Sequence, residues 1–198
     1  MNIDFILDIT CLWSYIAWRQ LRTALKENAA RATISPFFIN GGSFFPGFDI
    51  QAADRARMLE EKASPFLREA GISVNFDAIP ELSSDLSLPC ELVRTAFSKK
   101  KYNVLDDIFS AFFSFGKDVS VPETIRPIAE HYELTLNAEH RNPRRNPLPA
   151  NMPEGLRAVP CLIFDHTTII FGVQSIPCLK NMICLSNLLK KENVFSEK

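Results

Sequence analysis

The chain carries a cysteine and a serine three residues apart, in the run Thr10-Cys11-Leu12-Trp13-Ser14, where a predicted strand passes into a predicted helix. Free N–H groups and the dipole at a helix start favour an anion, so we expect the Cys11 thiolate to be stabilised and the Cys11 pKa to be lowered. Ser14 stands where a dithiol enzyme has its second cysteine, and a serine cannot form a disulfide. Cys11 would therefore do monothiol chemistry, with an external thiol completing any redox cycle. The alternative is that Cys11 is a buried structural residue.

Two strands and a helix must position this pair. The segment Asn2–Ile9 is almost continuously apolar, as in a strand covered on both faces. The segment Ser14–Ala30 has its apolar residues on one helical stripe, and Ala32–Ile39 predicts a second strand, bent or at a sheet edge because of Pro36. This order predicts one right-handed parallel crossover.

The middle of the chain has a helical character. Apolar residues recur at helical spacing through residues 51–134, which predicts an all-helical block. Within it, Pro65 predicts a kinked or divided helix, and the spacing of Ser120 and Glu123 predicts a capping box. Residues 137–155 are rich in Pro and Asn and indicate a connection.

Strand character returns near the end of the chain. The segments Val159–Phe164 and Thr168–Phe171 predict a hairpin, which a last helix follows. The resulting order, β-α-β, helical block, β-β-α, predicts an α/β protein with a thioredoxin-like fold. Its core would consist of residues 1–50 and 150–198, and an all-helical insertion would span residues 51–149.

Composition limits the classes of partner. With 22 cationic and 23 acidic side chains the net charge is −1, so neither nucleic acid nor a membrane surface is expected as a partner. The chain has no apolar run of about 18 residues, the minimum for a transmembrane helix. Its first residues lack the basic start of a signal peptide, and Asp4 and Asp8 interrupt the apolar run. We therefore expect a cytoplasmic protein.

Neither a metal site nor a disulfide framework is expected. The three histidines, His131, His140 and His166, are scattered and lack metal-ligand spacing. The five cysteines are an odd number, and a reducing compartment disfavours disulfides.

Five segments carry a resemblance to a known family. They are DITCLWSYIAWRQL, PFFING, FFSFGKDVSVPETIRPIAEHYEL, AVPCLIF and FGVQS, and they lie in both the core and the insertion. In this order they resemble the DsbA-like thioredoxin superfamily. The branch they resemble holds FrnE-like proteins, 2-hydroxychromene-2-carboxylate isomerases and kappa-class glutathione transferases.

The motif residues combine features of these relatives. FrnE-like proteins typically have Cys-Pro-Trp-Cys, whereas the isomerases and kappa-class transferases typically have Ser-Pro-Tyr-Ser. Cys11 agrees with the first group and Ser14 with the second. After the last strand, kappa-class transferases have a Ser and an Asp that hold the γ-glutamyl end of glutathione. Here Val173, Gln174 and Ser175 occupy that stretch, close to the Gly-Ala-Gln of FrnE-like proteins.

The resemblance implies a site at which glutathione is co-substrate and no metal is needed. It implies a cis peptide bond before Pro160, with the backbone of Val159 pairing with the cysteinyl unit of glutathione. Cys11 and Ser14 would be the catalytic residues. The residues implied in binding substrate or glutathione are Trp13, Asn40, Val159, Pro160, Gln174 and Ser175.

The expected function is that of a glutathione-linked monothiol thiol-disulfide oxidoreductase. Its partners would be a small thiol and either a small electrophile or a protein disulfide, and dimers among the relatives allow a homodimer. One alternative is a glutathione-dependent isomerase of the 2-hydroxychromene-2-carboxylate type or a kappa-class-like transferase. A second alternative is a non-catalytic binding protein on the same fold.

Overall fold

A four-stranded mixed sheet lies at the centre of the molecule. In the computed structural model, which describes residues 1–39, 52–136, 149, 152 and 159–196, the sheet has the order β2-β1-β3-β4. Strand β1 pairs in parallel with β2 and antiparallel with β3, and β3 pairs antiparallel with β4. The strands span Asn2–Leu7 (β1), Thr33–Phe38 (β2), Cys161–Phe164 (β3) and Thr168–Phe171 (β4).

Two helices cover one face of this sheet. Helix α1 spans Leu12–Glu27 and packs against α6, which spans Ile176–Ser196. Successive side chains of β1 point to opposite faces, so Phe5 faces α1 and stacks on Trp18 with ring centroids 5.8 Å apart. Ile6 belongs to the other face, where it packs with buried residues of β3. The stacking of Phe5 on Trp18 thereby fixes the middle of α1 against β1.

Four helices lie between β2 and β3 in the described part of that stretch. They are α2 (Ala52–Ala70), α3 (Ser87–Ser98), α4 (Asn103–Phe113) and α5 (Pro122–His131), and a 3₁₀ turn lies at Phe76–Ala78. The predicted helical character of residues 51–134 is confirmed for the described residues.

The helical block packs directly on α1. The Tyr15 ring stacks on Phe109 of α4, with 4.9 Å between the ring centroids. Gly116, just after α4, has a φ of 62°, and a Cβ there would lie 2.4 Å from the carbonyl oxygen of Ala78. Only glycine allows this close approach of two backbone segments.

Helix α2 runs through Pro65 without a division, because a proline removes one backbone hydrogen bond while the apolar face around Ala63 and Leu67 stays buried. Of the predicted kink or division, the division is excluded and the kink stays a prediction. The predicted capping box was wrong. Ser120 does not cap α5, because its hydroxyl bonds the Asp118 carboxylate instead. The helix begins at Pro122, whose fixed φ suits a first helical position.

The order β-α-β, helices, β-β-α predicted from the sequence is confirmed, and the fold is thioredoxin-like. The predicted loop at residues 41–50 lies outside the described residues, as does most of the predicted connection at 137–155. Within the described ranges, no helix is both long and apolar enough to span a bilayer.

Candidate active site

The turn between β1 and α1 places Cys11 at the start of the helix. The backbone N–H of Cys11 donates to the Asp8 carbonyl oxygen at 3.1 Å, and the Cys11 carbonyl accepts from the N–H groups of Ser14 and Tyr15 at 2.9 and 3.2 Å. Cys11 is thus the N-cap residue of α1, with an extended backbone and no capping bond from its side chain. Its half-buried thiol is left available for chemistry.

A loop from the far end of the chain faces this thiol. The Val159–Pro160 peptide bond is cis, and the Cys11 Sγ lies 4.0 Å from the Val159 carbonyl oxygen. The Pro160 carbonyl accepts a 2.8 Å hydrogen bond from the N–H of Gly172, which ties the loop to the end of β4. The structure therefore brings the Cys11 segment and the Val159–Pro160 segment together, although Cys11 and Val159 are 148 positions apart in the sequence.

Ser14 lies beneath the thiol and is completely buried. Its Oγ accepts a 3.3 Å hydrogen bond from the backbone N–H of Asp8. The Ser14 hydroxyl also hydrogen-bonds the Cys11 sulfur, as do the backbone N–H groups of Ser14 and Trp13. A buried hydroxyl at this position acts as a fixed partner of the sulfur and cannot resolve a disulfide.

Trp13 provides an apolar wall. Its half-buried indole meets the Phe66 ring of α2 edge to face, with centroids 5.7 Å apart and planes at 82°. Aromatic contacts of this geometry stabilise the fold by more than the burial of their apolar area alone would do. Helix α2 is thereby linked to the residue beside the thiol.

The electrostatics of Cys11 differ from the prediction. Burial raises the pKa of the Cys11 thiol, and the nearby Asp8 carboxylate raises it further. The hydrogen bonds from Ser14 and Trp13 lower the pKa but do not compensate. The predicted lowering of the pKa was therefore wrong, because desolvation and a like charge outweigh the donors at the helix start.

The polar groups of Gln174 and Ser175 bond within their own segment. The Gln174 amide nitrogen donates to the Phe171 carbonyl oxygen at 2.9 Å, and the Ser175 Oγ accepts from the N–H of Cys178 at 3.4 Å, in the first turn of α6. Neither has a recorded contact with Cys11 among the described residues. Asn40, the remaining residue predicted to bind ligand, lies outside the described part of the chain.

Sequence reasoning missed the part that Asp8 plays in the site. Its side chain is 5 % exposed, and its Oδ1 accepts hydrogen bonds from the Thr10 N–H at 2.7 Å and the Thr10 hydroxyl at 2.8 Å. Asp8 also raises the pKa of Cys90, a buried thiol of α3 whose pKa rises to about 12, chiefly through desolvation. The sequence did contain a signal for this role of Asp8. An acidic residue directly follows a buried apolar strand and precedes a cysteine by three residues.

No metal centre is evident in the described part of the chain. None of its His, Cys, Asp and Glu side chains form a group of three that could hold a metal ion. His166 instead lies 3.3 Å from the Asp4 carboxylate, on the hairpin turn.

The fold is similar to that of solved structures. A probable DsbA oxidoreductase from Streptomyces coelicolor superimposes with a TM-score of 0.68 at 15 % identity, covering 94 % of this chain and 89 % of that one. A 2-hydroxychromene-2-carboxylate isomerase gives 0.59 at 13 %, covering 98 % of each chain. The cytosolic disulfide reductase DsbM from Pseudomonas aeruginosa gives 0.56 at 14 %, covering 98 % of this chain and 100 % of that one. At these identities the likeness concerns the fold.

A search of curated proteins gives no match. The family model of the DSBA-like thioredoxin domain matches residues 2–141, which include the Cys11 segment, both parallel strands and the helical block. The chain therefore belongs to the DsbA-like thioredoxin domain family.

Proposed function

We propose that the protein is a glutathione-linked thiol-disulfide oxidoreductase that acts through the single thiol of Cys11. The observation that carries the proposal is the position of this thiol. It lies at the start of α1, 4.0 Å from the Val159 carbonyl beside Pro160, with a buried serine hydroxyl at the place of a second thiol. This arrangement leaves one sulfur to react, and the partly exposed backbone of Val159 beside it is where an extended thiol peptide can lie.

The proposed cycle uses two thiol-disulfide exchanges. The Cys11 thiolate attacks the glutathione sulfur of a mixed disulfide between glutathione and a substrate thiol. A Cys11–glutathione disulfide forms, and the substrate leaves as a thiolate that takes up a proton. The thiolate of a second glutathione then attacks the glutathione sulfur of this disulfide, which releases Cys11 and oxidised glutathione. Ser14 hydrogen-bonds the Cys11 sulfur when it carries negative charge.

The raised pKa of Cys11 sets the pH dependence of this cycle. Because burial and Asp8 favour the neutral thiol, the thiolate is the minor form at neutral pH. The rate of the first exchange should therefore increase with pH through the neutral range and level off above the Cys11 pKa.

The same raised pKa supports a second candidate function. A Cys11 that stays protonated can donate a hydrogen bond from its S–H to the thiolate of a bound glutathione, which then acts as the nucleophile. Ser14 would keep its hydrogen bond to the Cys11 sulfur, and the chemistry would be that of a glutathione-dependent isomerase or transferase.

Replacement of Cys11 separates the two functions. Under the oxidoreductase proposal, Cys11→Ser abolishes the glutathione-dependent reduction of a glutathionylated peptide. The matched control Cys178→Ser, at another half-buried cysteine, should retain the wild-type rate. If Cys11→Ser keeps most of a glutathione-dependent isomerase or transferase activity, the second function replaces the first.

A further inference from the structure

A groove lies at the opposite end of α1 from Cys11. Its cavity of about 420 Å³ is formed by the C-terminal ends of α1 and α3 and by the start of β2. We call it the C-terminal groove. Helix α1 has 16 residues, so the groove is about 24 Å from the thiol at 1.5 Å of rise per residue. It is therefore separate from the candidate active site.

The groove is lined by four cations, Arg22, Lys26, Arg31 and Lys100, and no carboxylate is among the described residues that line it. Arg22 is held by Asp106 and Asn103 at 3.1 and 2.7 Å.

The other three cations are not held in this way. Within the described ranges, Lys26, Arg31 and Lys100 form no salt bridge, and all three are exposed. The chain has a net charge of −1, so this concentration of positive charge is local.

The two helix ends offset only part of this charge. Ala29 and Lys100 adopt φ values of 46° and 57° just beyond α1 and α3. The N–H of Ala30 then bonds the Leu25 carbonyl at 3.0 Å, and the N–H of Lys101 bonds the Ala96 carbonyl at 2.8 Å. Carbonyl groups at both helix ends thus already have donors. Each helix end carries about −0.5 of a charge, so two ends cancel about one of the three positive charges that remain beside the Arg22–Asp106 pair.

The floor of the groove is apolar. Ala29, Ala30, Ala32 and the Tyr102 ring line it, and Leu25 and Ile34, which are already buried in the core, complete it. The Tyr102 hydroxyl is turned to the β2 segment, where it accepts from the N–H of Ile34 at 3.3 Å. A purely ionic ligand would leave this floor uncovered, and a purely apolar one would leave the cations unpaired.

We propose that the C-terminal groove binds a small amphiphilic anion, with a carboxylate or phosphate head among the cations and an apolar body on the floor. The volume lies within the range of about 300–1,000 Å³ that is typical of small-molecule sites. The lysine and arginine ends pair with the head group, and the apolar body removes the floor from water.

Calorimetry with four probes below their micellar concentrations tests the site. Dodecyl phosphate and dodecanoate should bind, and the tighter of the two identifies the head group. Dodecanol lacks the charge and inorganic phosphate lacks the apolar body, so each should bind at least tenfold more weakly. Raising the salt concentration tenfold should weaken the binding of both anions, because the cations are exposed to solvent.

Two variants with reversed charge provide the structural control. The double variant Arg31→Glu, Lys100→Glu should lose at least tenfold in affinity for both anions, while Lys62→Glu, at an exposed lysine of α2, should bind as wild type. Far-UV circular dichroism and Cys11 labelling should be unchanged in both. Equal binding of dodecanol and dodecyl phosphate, equal losses in the two variants, or binding only to anionic vesicles and not to monomeric probes would each overturn the proposal.

Discussion

Replacing Ser14 with alanine should raise the pKa of Cys11 further. The Ser14 hydroxyl hydrogen-bonds the Cys11 sulfur and lowers its pKa, against the opposing effect of burial. A hydrogen bond to a charged group is worth about 1.5–3 kcal/mol, and one pKa unit corresponds to about 1.36 kcal/mol. Losing the bond should therefore lower the labelling rate at neutral pH about ten- to a hundredfold, and the half-buried position of Cys11 favours the lower figure because solvent screens the sulfur.

The assay is alkylation with iodoacetamide across the pH range, with the Cys11 peptide followed by mass spectrometry. Because the thiolate is the minor form at neutral pH, each unit of increase in the pKa lowers the labelling rate about tenfold there. At pH values above both pKa values the rates should converge. The matched control is Ser87→Ala, at a buried serine whose Oγ has no partner among the described residues. An unchanged or lowered Cys11 pKa in Ser14→Ala would refute the assigned hydrogen bond.

Four further predictions concern other contacts of the described residues. Asp8→Asn should lower the Cys11 pKa, because it removes a negative charge beside the sulfur; the same labelling curve checks this, and an increase would contradict it. Ser14→Cys should form an internal disulfide with Cys11 on oxidation, seen by peptide mapping, whereas only intermolecular disulfides would contradict the geometry. Phe109→Ala should lower the free energy of unfolding in urea by about 3–5 kcal/mol, because Phe109 is fully buried; a loss under about 1 kcal/mol would contradict this packing. Desolvation raises the pKa of Asp118, but the hydrogen bonds from Ser120 and Ser83 together outweigh it and lower the pKa to about 2 from 3.8, so the contribution of Asp118 to stability should be present above about pH 4 and lost as the pH falls towards 2. Asp118→Asn should flatten that acid-induced loss in urea titrations, and an unaltered pH profile would count against the assignment.

The fold was predictable because its elements are encoded locally. The apolar run of β1, the single apolar stripe of α1 and the turn at Asp165 and His166 each follow from the periodicity of nearby residues. The predicted capping box was wrong because two possible partners compete for the same serine hydroxyl. Ser120 had a stronger partner in the Asp118 carboxylate than in a helix N–H group, and spacing alone cannot reveal such a choice.

The site was predictable in position but not in electrostatics. Cys11 and Ser14 are placed by one turn, which the strand-to-helix junction specifies. The pKa of Cys11 depends on the burial of the thiol and on the charge of Asp8, and the burial results from tertiary packing. The edge-to-face contact between Trp13 and Phe66 likewise joins two elements far apart in the sequence.

The most direct test of the proposed function is to identify the covalent intermediate. The protein is mixed with a glutathionylated peptide, quenched with acid within the first turnover and measured by intact-mass and peptide mass spectrometry. The account predicts one glutathionyl group, located on Cys11, which forms as the free peptide is released and disappears when reduced glutathione is added. Release of the peptide at the normal rate by Cys11→Ser, or a glutathionyl group located on another cysteine, would contradict it.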